Sequence, residues 1–388
     1  MTERSDAGAE ALDDNRDGAP EPSGDGVAAA DQAGRDLAAP PAPDVVPVSG
    51  RERDAHLDNV KFVAIALVVV GHVWGPMLAW SRTLEAAYLL VYTIHMPAFT
   101  LLSGYFSRHF TASPRQARSL VRTIVVPYLV IESAFTLFRY FGHGEHLDFA
   151  LYDPWWVTWF LMTLFFWRLS APLWRVMRFP LVIAVVACFA AGSKDLPGAF
   201  EMGRLFQYLP FFVLGLSLRR QHFAWLRLFW ARIAAVPVLL ASMYGAYVLA
   251  PHTSLEWVYW RASAHQIGVG YPTWAGVKLV QLPVTLLVVF AVIAVVPARR
   301  IPVITGFGAA SIYAYLLHGF VAKGAEWWGV YDVPFLHTAL GIAAVGVGGV
   351  VLTAVLSSPP VRVLFGWAVQ PRLEGWLRGS HAPLARLD

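Results

Sequence analysis

From about residue 55 to residue 357 the chain alternates long apolar runs with short polar joints, and the apolar residues come in blocks without the periodicity of a soluble fold. Ten runs have the length a membrane-crossing helix needs, roughly 17–25 residues: about 58–80, 84–107, 120–141, 155–173, 179–193, 204–220, 231–250, 277–297, 304–325 and 335–357. The run 179–193 is the shortest. The pattern predicts an all-α integral membrane protein, a bundle of about ten transmembrane helices. The first fifty residues differ from the rest: they are rich in Asp, Glu, Ala, Gly and Pro and contain no aromatic residue. Such a segment cannot bury enough apolar surface to offset its ordering entropy, so residues 1–50 read as a disordered acidic tail. Residues 51–360 then form the membrane domain and 361–388 a C-terminal tail. The opening MTERSDAGAE lacks the basic start and apolar core of a secretory leader, so no cleavage is expected.

Composition agrees with a bilayer as solvent, at 57% hydrophobic and 14% charged residues. A net charge of +4 raises the question of a nucleic-acid partner, but the basic residues gather at the ends of apolar runs, where topology accounts for them. Counting ten spans from an inside start puts Arg108, Arg115, Arg118 and Arg122 in one inner loop and Arg168, Arg175 and Arg178 around the next. Arg219, Arg220, Arg227 and Arg232 follow, then Arg299 and Arg300. The alternate loops are poor in Lys and Arg, so both termini are expected in the cytoplasm and the protein in the cell membrane, lipid being its first partner. Oligomeric state is not encoded in this pattern.

Several ionisable groups break the apolar runs. Lys61 and His72 lie eleven residues apart in the first, which places them on one helix face about 16 Å apart, with Asp58 on the same face. His95 falls near the middle of the second run, Glu132 about ten residues into the third, and His318 inside SIYAYLLHGF of the ninth. All four of His72, His95, Glu132 and His318 then sit near mid-membrane, where ionisable groups are avoided unless used. A single shared pocket is expected, with Ser103 and Tyr315 beside His95 and His318. The bland reading of each histidine is a hydrogen bond to a neighbouring helix. Glu132 follows Pro127 and either orients an imidazole or satisfies a helix distortion.

The inner loop SRHFTASPRQARSLVR places Arg115 and Arg118 three apart at a helix start, with Arg122 four residues on. Three guanidiniums on one face suit phosphate groups, although arginines also serve simply to hold a loop inside. The lone Cys188 supports neither a disulfide framework nor a cysteine metal site, and His143 with His146 would be only half of one, so no metal is expected. The glycines of GIAAVGVGGV read as close helix packing.

These segments resemble the acyltransferase 3 family of membrane acyltransferases, and most closely its fucose 4-O-acetylase-like branch. The resemblance is carried by HLDNVKFVAIALVVVGH, YTIHMPAFTLLSGYF, RQAR before RTIVVPYLV, GRLFQYLPFFVLGL and SIYAYLLHGF. Lys61 and His72 meet the family's basic residue and histidine, and Arg115 with Arg118 its R-x-x-R element; many members carry Arg at the Lys61 position. The resemblance implies transfer of an acyl group, acetyl above all, from acyl-CoA to a hydroxyl of a sugar or other carbohydrate-containing acceptor. It implies His72 as general base, His95 or Glu132 as its helper, and Lys61, Arg115, Arg118 and Arg122 holding the donor. The alternative is a proton-coupled transporter of a small polar solute, which would place His and Glu at the same depth.

Overall fold

The computed structural model describes residues 54–371. The expected acidic tail and the last residues of the chain lie outside the described residues. Among these, all regular structure is helical. Helix α1 (Ala55–Trp74) begins at Asp54, whose side chain accepts from the His56 amide at 3.0 Å and is itself held by Arg227 at 2.6 Å. After a short 3-10 turn come α2 (Arg82–Ser107) and α3 (Pro114–Leu120). A π-helical turn, Val121–Val125, joins α3 to α4 (Val126–His143). The chain continues through α5 (Trp159–Val176), α6 (Pro180–Gly192), α7 (Met202–Gln207), α8 (Leu209–Ser217), α9 (Arg220–Leu226) and α10 (Phe229–Leu249). It ends with α11 (Glu256–Tyr259), α12 (Ala264–Ile267), α13 (Tyr271–Val295), α14 (Pro302–Ala309), α15 (Ser311–Trp327), α16 (Ala339–Leu356) and α17 (Pro359–Val369).

Among the described residues six helices are long and apolar enough to cross a membrane, and the pair α14–α15, bent by 77°, would make a seventh. The ten expected runs map onto these and onto shorter pieces. The run 179–193 is a helix of 13 residues. The run 204–220 divides at Tyr208 into α7 and α8, because Pro210 has no N–H to continue the ladder and instead opens a new helix. The run 155–173 forms α5, which carries Arg168 and Ser170 within its apolar length. Residues 361–369, expected in a tail, continue α17, and Ala368 and Val369 are buried against the bundle.

Helix α1 is the axis of the bundle and packs against α2, α14, α15 and α16. Small residues permit this. A side chain on Gly308 of α14 would strike the Asp58 carbonyl of α1, and one on Gly346 or Gly349 of α16 would strike Trp74 or Val70. Gly104 of α2 and Gly215 of α8 face each other so closely that a β-carbon on either would meet the other helix's backbone. Asn59, buried in α1, binds the carbonyls of Pro297 and Arg299 at 2.8 and 3.0 Å and fixes the far end of α13 beside the start of α1.

Candidate active site

His72 is near the C-terminal end of α1 and His318 is in the middle of α15, and the crossing of these helices brings the rings together. His72 Nδ1 and His318 Nε2 are 2.8 Å apart, and the rings stack with centroids 5.0 Å apart. His318 Nδ1 lies 2.9 Å from the Ala314 carbonyl one helical turn back. A carbonyl only accepts, so His318 Nδ1 carries the hydrogen, and neutral His318 presents Nε2 as an acceptor. His72 Nδ1 must therefore be the donor in the pair. Neutral His72 is left with an unprotonated Nε2, the electronic state of a base. His318 is fully buried, whereas His72 is partly buried and holds no hydrogen-bond partner at Nε2 among the described residues.

The other ring faces of His72 are walled by aromatics. Trp156 lies against it with centroids 4.5 Å apart, and Tyr92 approaches at 6.3 Å. Trp156 holds φ at +46°, the left-handed region that a bulky side chain rarely enters. The clamps on its flanks explain how this persists. Glu132 accepts from the Trp155 amide at 3.1 and 3.2 Å and from the Thr158 hydroxyl, and the Tyr315 hydroxyl donates to the Val157 carbonyl. Both predicted pocket residues thus grip the turn Trp155–Thr158 from opposite helices, α4 and α15. Glu132 meets a backbone amide and a hydroxyl there, on either side of Trp156.

His95 is buried on α2, with Nδ1 2.7 Å from the Val91 carbonyl, so the same reasoning leaves its Nε2 as an acceptor. Tyr92 packs edge-on against His95 with centroids 4.5 Å apart and so stands between the two histidines. Tyr92 also meets Tyr259 at 5.1 Å, and the Tyr259 and Tyr88 hydroxyls are 3.1 Å apart. Ser103 lies two helical turns beyond His95, about 12 Å along α2, away from the histidine pair. Lys61 pairs with Asp58 at 2.5 Å and lies 5.3 Å from the centre of the Phe106 ring, which places it at the opposite end of α1 from His72.

Arg115, Arg118 and Arg122 are exposed, on α3 and the π-helical turn that follows it. Their loop is fixed from within. Gln116 accepts from the Thr111 amide at 2.7 Å and donates to the His109 carbonyl at 3.1 Å, and Arg175 donates to the carbonyls of Arg108 and Phe110. A rigid loop with outward guanidiniums at the end of the bundle where α1 starts can meet an anion from solvent. Among the described residues no group of three or more His, Cys, Asp and Glu is arranged to hold a metal ion. His143 instead stacks on Trp327 at 4.8 Å.

Trp156, Tyr92 and Tyr259 were invisible as site residues in the sequence, since aromatics in apolar runs look like core. The one available signal was the density of tryptophan in DPWWVTWF at a run boundary.

The described residues form an all-helical bundle with membrane-length apolar helices, a histidine pair under aromatic walls and an arginine-bearing loop at one end. The acyltransferase 3 family model, an acyltransferase domain, matches residues 54–358, and the chain belongs to this family. No curated protein and no solved structure was found that matches the chain.

Proposed function

We propose that the protein transfers an acyl group, most simply acetyl, from a cytoplasmic acyl-CoA to a hydroxyl of a sugar or other carbohydrate-containing acceptor, as in the fucose 4-O-acetylase-like branch. The observation that carries this reading is the fixed tautomer of His72, with Nδ1–H engaged by His318 and Nε2 open. As the acceptor oxygen attacks the thioester carbonyl, its O–H proton passes to His72 Nε2. The new imidazolium is stabilised because His72 Nδ1–H already donates to His318, whose own Nδ1–H rests on the Ala314 carbonyl. The C–S bond then breaks, and the proton held on Nε2 goes to the departing thiolate. His95 Nε2 is a second acceptor nearby, suited to take a hydrogen bond from another hydroxyl of the acceptor and so orient it.

The donor's phosphates would meet Arg115, Arg118 and Arg122, with Lys61 beyond them along α1. The orientation follows from the arginine loops, which argue for both termini inside and a place in the cell membrane. Arg227 joined to Asp54 and Arg175 to the Arg108 carbonyl belong to the same end of the bundle. Purified protein with labelled acetyl-CoA and a panel of glycans in detergent tests the reading: label transfer with equimolar release of thiol is expected. A proton-coupled transporter releases no thiol and needs two compartments, so accumulation in sealed vesicles without covalent change would refute the transferase.

A further inference from the structure

The single helical turn α11 borders three compartments. Glu256 lines a polar cavity of about 410 Å³ together with Asp153, Glu201, Arg261 and Gln266. Trp257 and Val258 line an apolar groove of about 870 Å³ between α2, α10 and α13. Tyr259 leans on Tyr92, which faces His72. The turn is firmly placed: Lys278 Nζ and Gln281 Nε2 of α13 both donate to the Trp257 carbonyl, at 3.0 and 2.9 Å, and the Lys278 ammonium lies 4.0 Å from the centre of the Trp260 ring.

The groove opens towards lipid. Only 11% of the apolar window of α10 and 39% of that of α13 is buried. Gly245 of α10 and Gly276 of α13 both line the groove, and neither has anything within 4 Å of where a β-carbon would stand. Glycine costs about 1 kcal/mol relative to alanine inside a helix, and at Gly104 and Gly215 that cost is offset by close helix contact. At Gly245 and Gly276 the missing side chains leave open space. From Gly276 to Val288 the groove follows α13 for about 18 Å, about three-fifths of a hydrocarbon core of about 30 Å.

The polar cavity has the opposite chemistry. Two of its three carboxylates are held in ion pairs, Glu256 with Arg261 at 2.6 Å and Glu201 with Arg204 at 2.5 Å, and Asp153 adds a further carboxylate acceptor, so the wall offers fixed groups for hydroxyl donors. Such a wall suits several hydroxyls of a neutral head group.

We propose that the acceptor is amphiphilic, a lipid-linked saccharide whose hydrocarbon tail lies in the groove between α10 and α13, whose remaining head-group hydroxyls occupy the Glu256–Arg261 cavity, and whose reacting hydroxyl is presented past Tyr259 and Tyr92 to His72. This rests on the acyltransferase reading and adds a substrate class to it. The transfer is as written above: the acceptor O–H and the thioester C–S bonds break, the ester C–O bond forms, and the proton ends on the thiol. A free sugar would use the cavity alone.

The test uses the full-length protein in lipid nanodiscs, with dodecyl glycosides and methyl glycosides of the same sugars as acceptors and acetyl-CoA as donor. Dodecyl glycosides are expected to show the lower KM. In Gly245→Leu/Gly276→Leu, which fills the groove, the preference for dodecyl over methyl in kcat/KM is expected to fall about tenfold, through KM. A second readout needs no turnover. A dodecyl glycoside carrying a diazirine near the end of its chain should crosslink to α10 and α13 between Val238 and Val288 in the wild type and lose those adducts in the variant. Equal preference in wild type and variant, or adducts spread evenly over all lipid-facing helices, would show that the groove is ordinary bilayer surface and overturn the proposal. Absence of thiol release with every acceptor, alongside groove-specific crosslinks, would instead overturn the transferase reading and leave the binding site standing.

Discussion

At the scale of single residues the decisive contact is 2.8 Å between two imidazoles. His72→Ala removes the proposed base, and turnover is expected to fall by about 10²–10⁴-fold while the protein still folds. Unchanged turnover in a folded variant would remove His72 from the mechanism. His318→Phe probes the partner. It deletes the acceptor for His72 Nδ1–H without touching the open Nε2, so kcat should drop while the donor's KM stays near the wild-type value. The pH profile of kcat should move as well, because the imidazolium loses its neighbour; a bulk packing role for His318 would lower stability without moving the profile. Some of this was legible in the sequence. The histidines were conspicuous because they interrupt apolar runs, but their pairing was not, since the partners are separated by 246 residues and only the crossing of α1 and α15 joins them.

Elements decide where those residues point. The turn Trp155–Thr158 is held by Glu132 on one side and Tyr315 on the other, and both were expected to face the pocket directly. Sequence position could place them at the right depth; it could not reveal that their partners are backbone groups and one hydroxyl of an intervening turn. Glu132→Ala leaves the Trp155 amide without its acceptor, the Thr158 hydroxyl keeping the Trp155 carbonyl at 2.8 Å, and an unsatisfied buried polar group costs about 1–3 kcal/mol. A lower melting temperature in detergent together with reduced kcat is expected, and a variant as stable and active as wild type would argue against the clamp. The helix breaks were equally hidden. Hydropathy reads 204–220 and 304–325 as continuous, whereas Pro210 starts a new helix and the chain turns by 77° between α14 and α15.

Across the whole molecule, charge is distributed by end. Arg115→Ala with Arg118→Ala is expected to raise the KM of acyl-CoA with much less effect on the acceptor, each charge-assisted bond to phosphate being worth about 1.5–3 kcal/mol. The effect should shrink at high salt because these side chains are exposed. Unchanged donor KM with impaired insertion would assign the arginines to topology alone. At the other end, hydrogen bonding by Arg261 holds the Glu256 carboxyl below its ordinary value of 4.5, and bonds from Ser263 and His265 do the same for Asp195. A depressed carboxyl stabilises the fold above its unfolded value and loses that contribution as pH falls through the folded one. Amide protection in residues 253–266, taken relative to the intrinsic exchange rate at each pH, should therefore be steady from pH 7 to about 5 and fall only below about 4.5. Loss of protection already at pH 6 would show that these carboxylates do not hold the loops.

Helix α1 is walled by α2, α14, α15 and α16, and glycines in two of these neighbours bring backbone to backbone or ring to backbone along its length. It cannot tilt or slide without moving the bundle, so the interval between Lys61 and His72 behaves as a ruler of about 16 Å. On the proposed chemistry the donor must then span that interval with its own flexible arm, from the phosphates to the sulfur. A thioester too short to bridge it would have to diffuse to His72 unanchored, and the arginines would no longer influence its rate. The protein would thus measure its donor by length before it reacts with it.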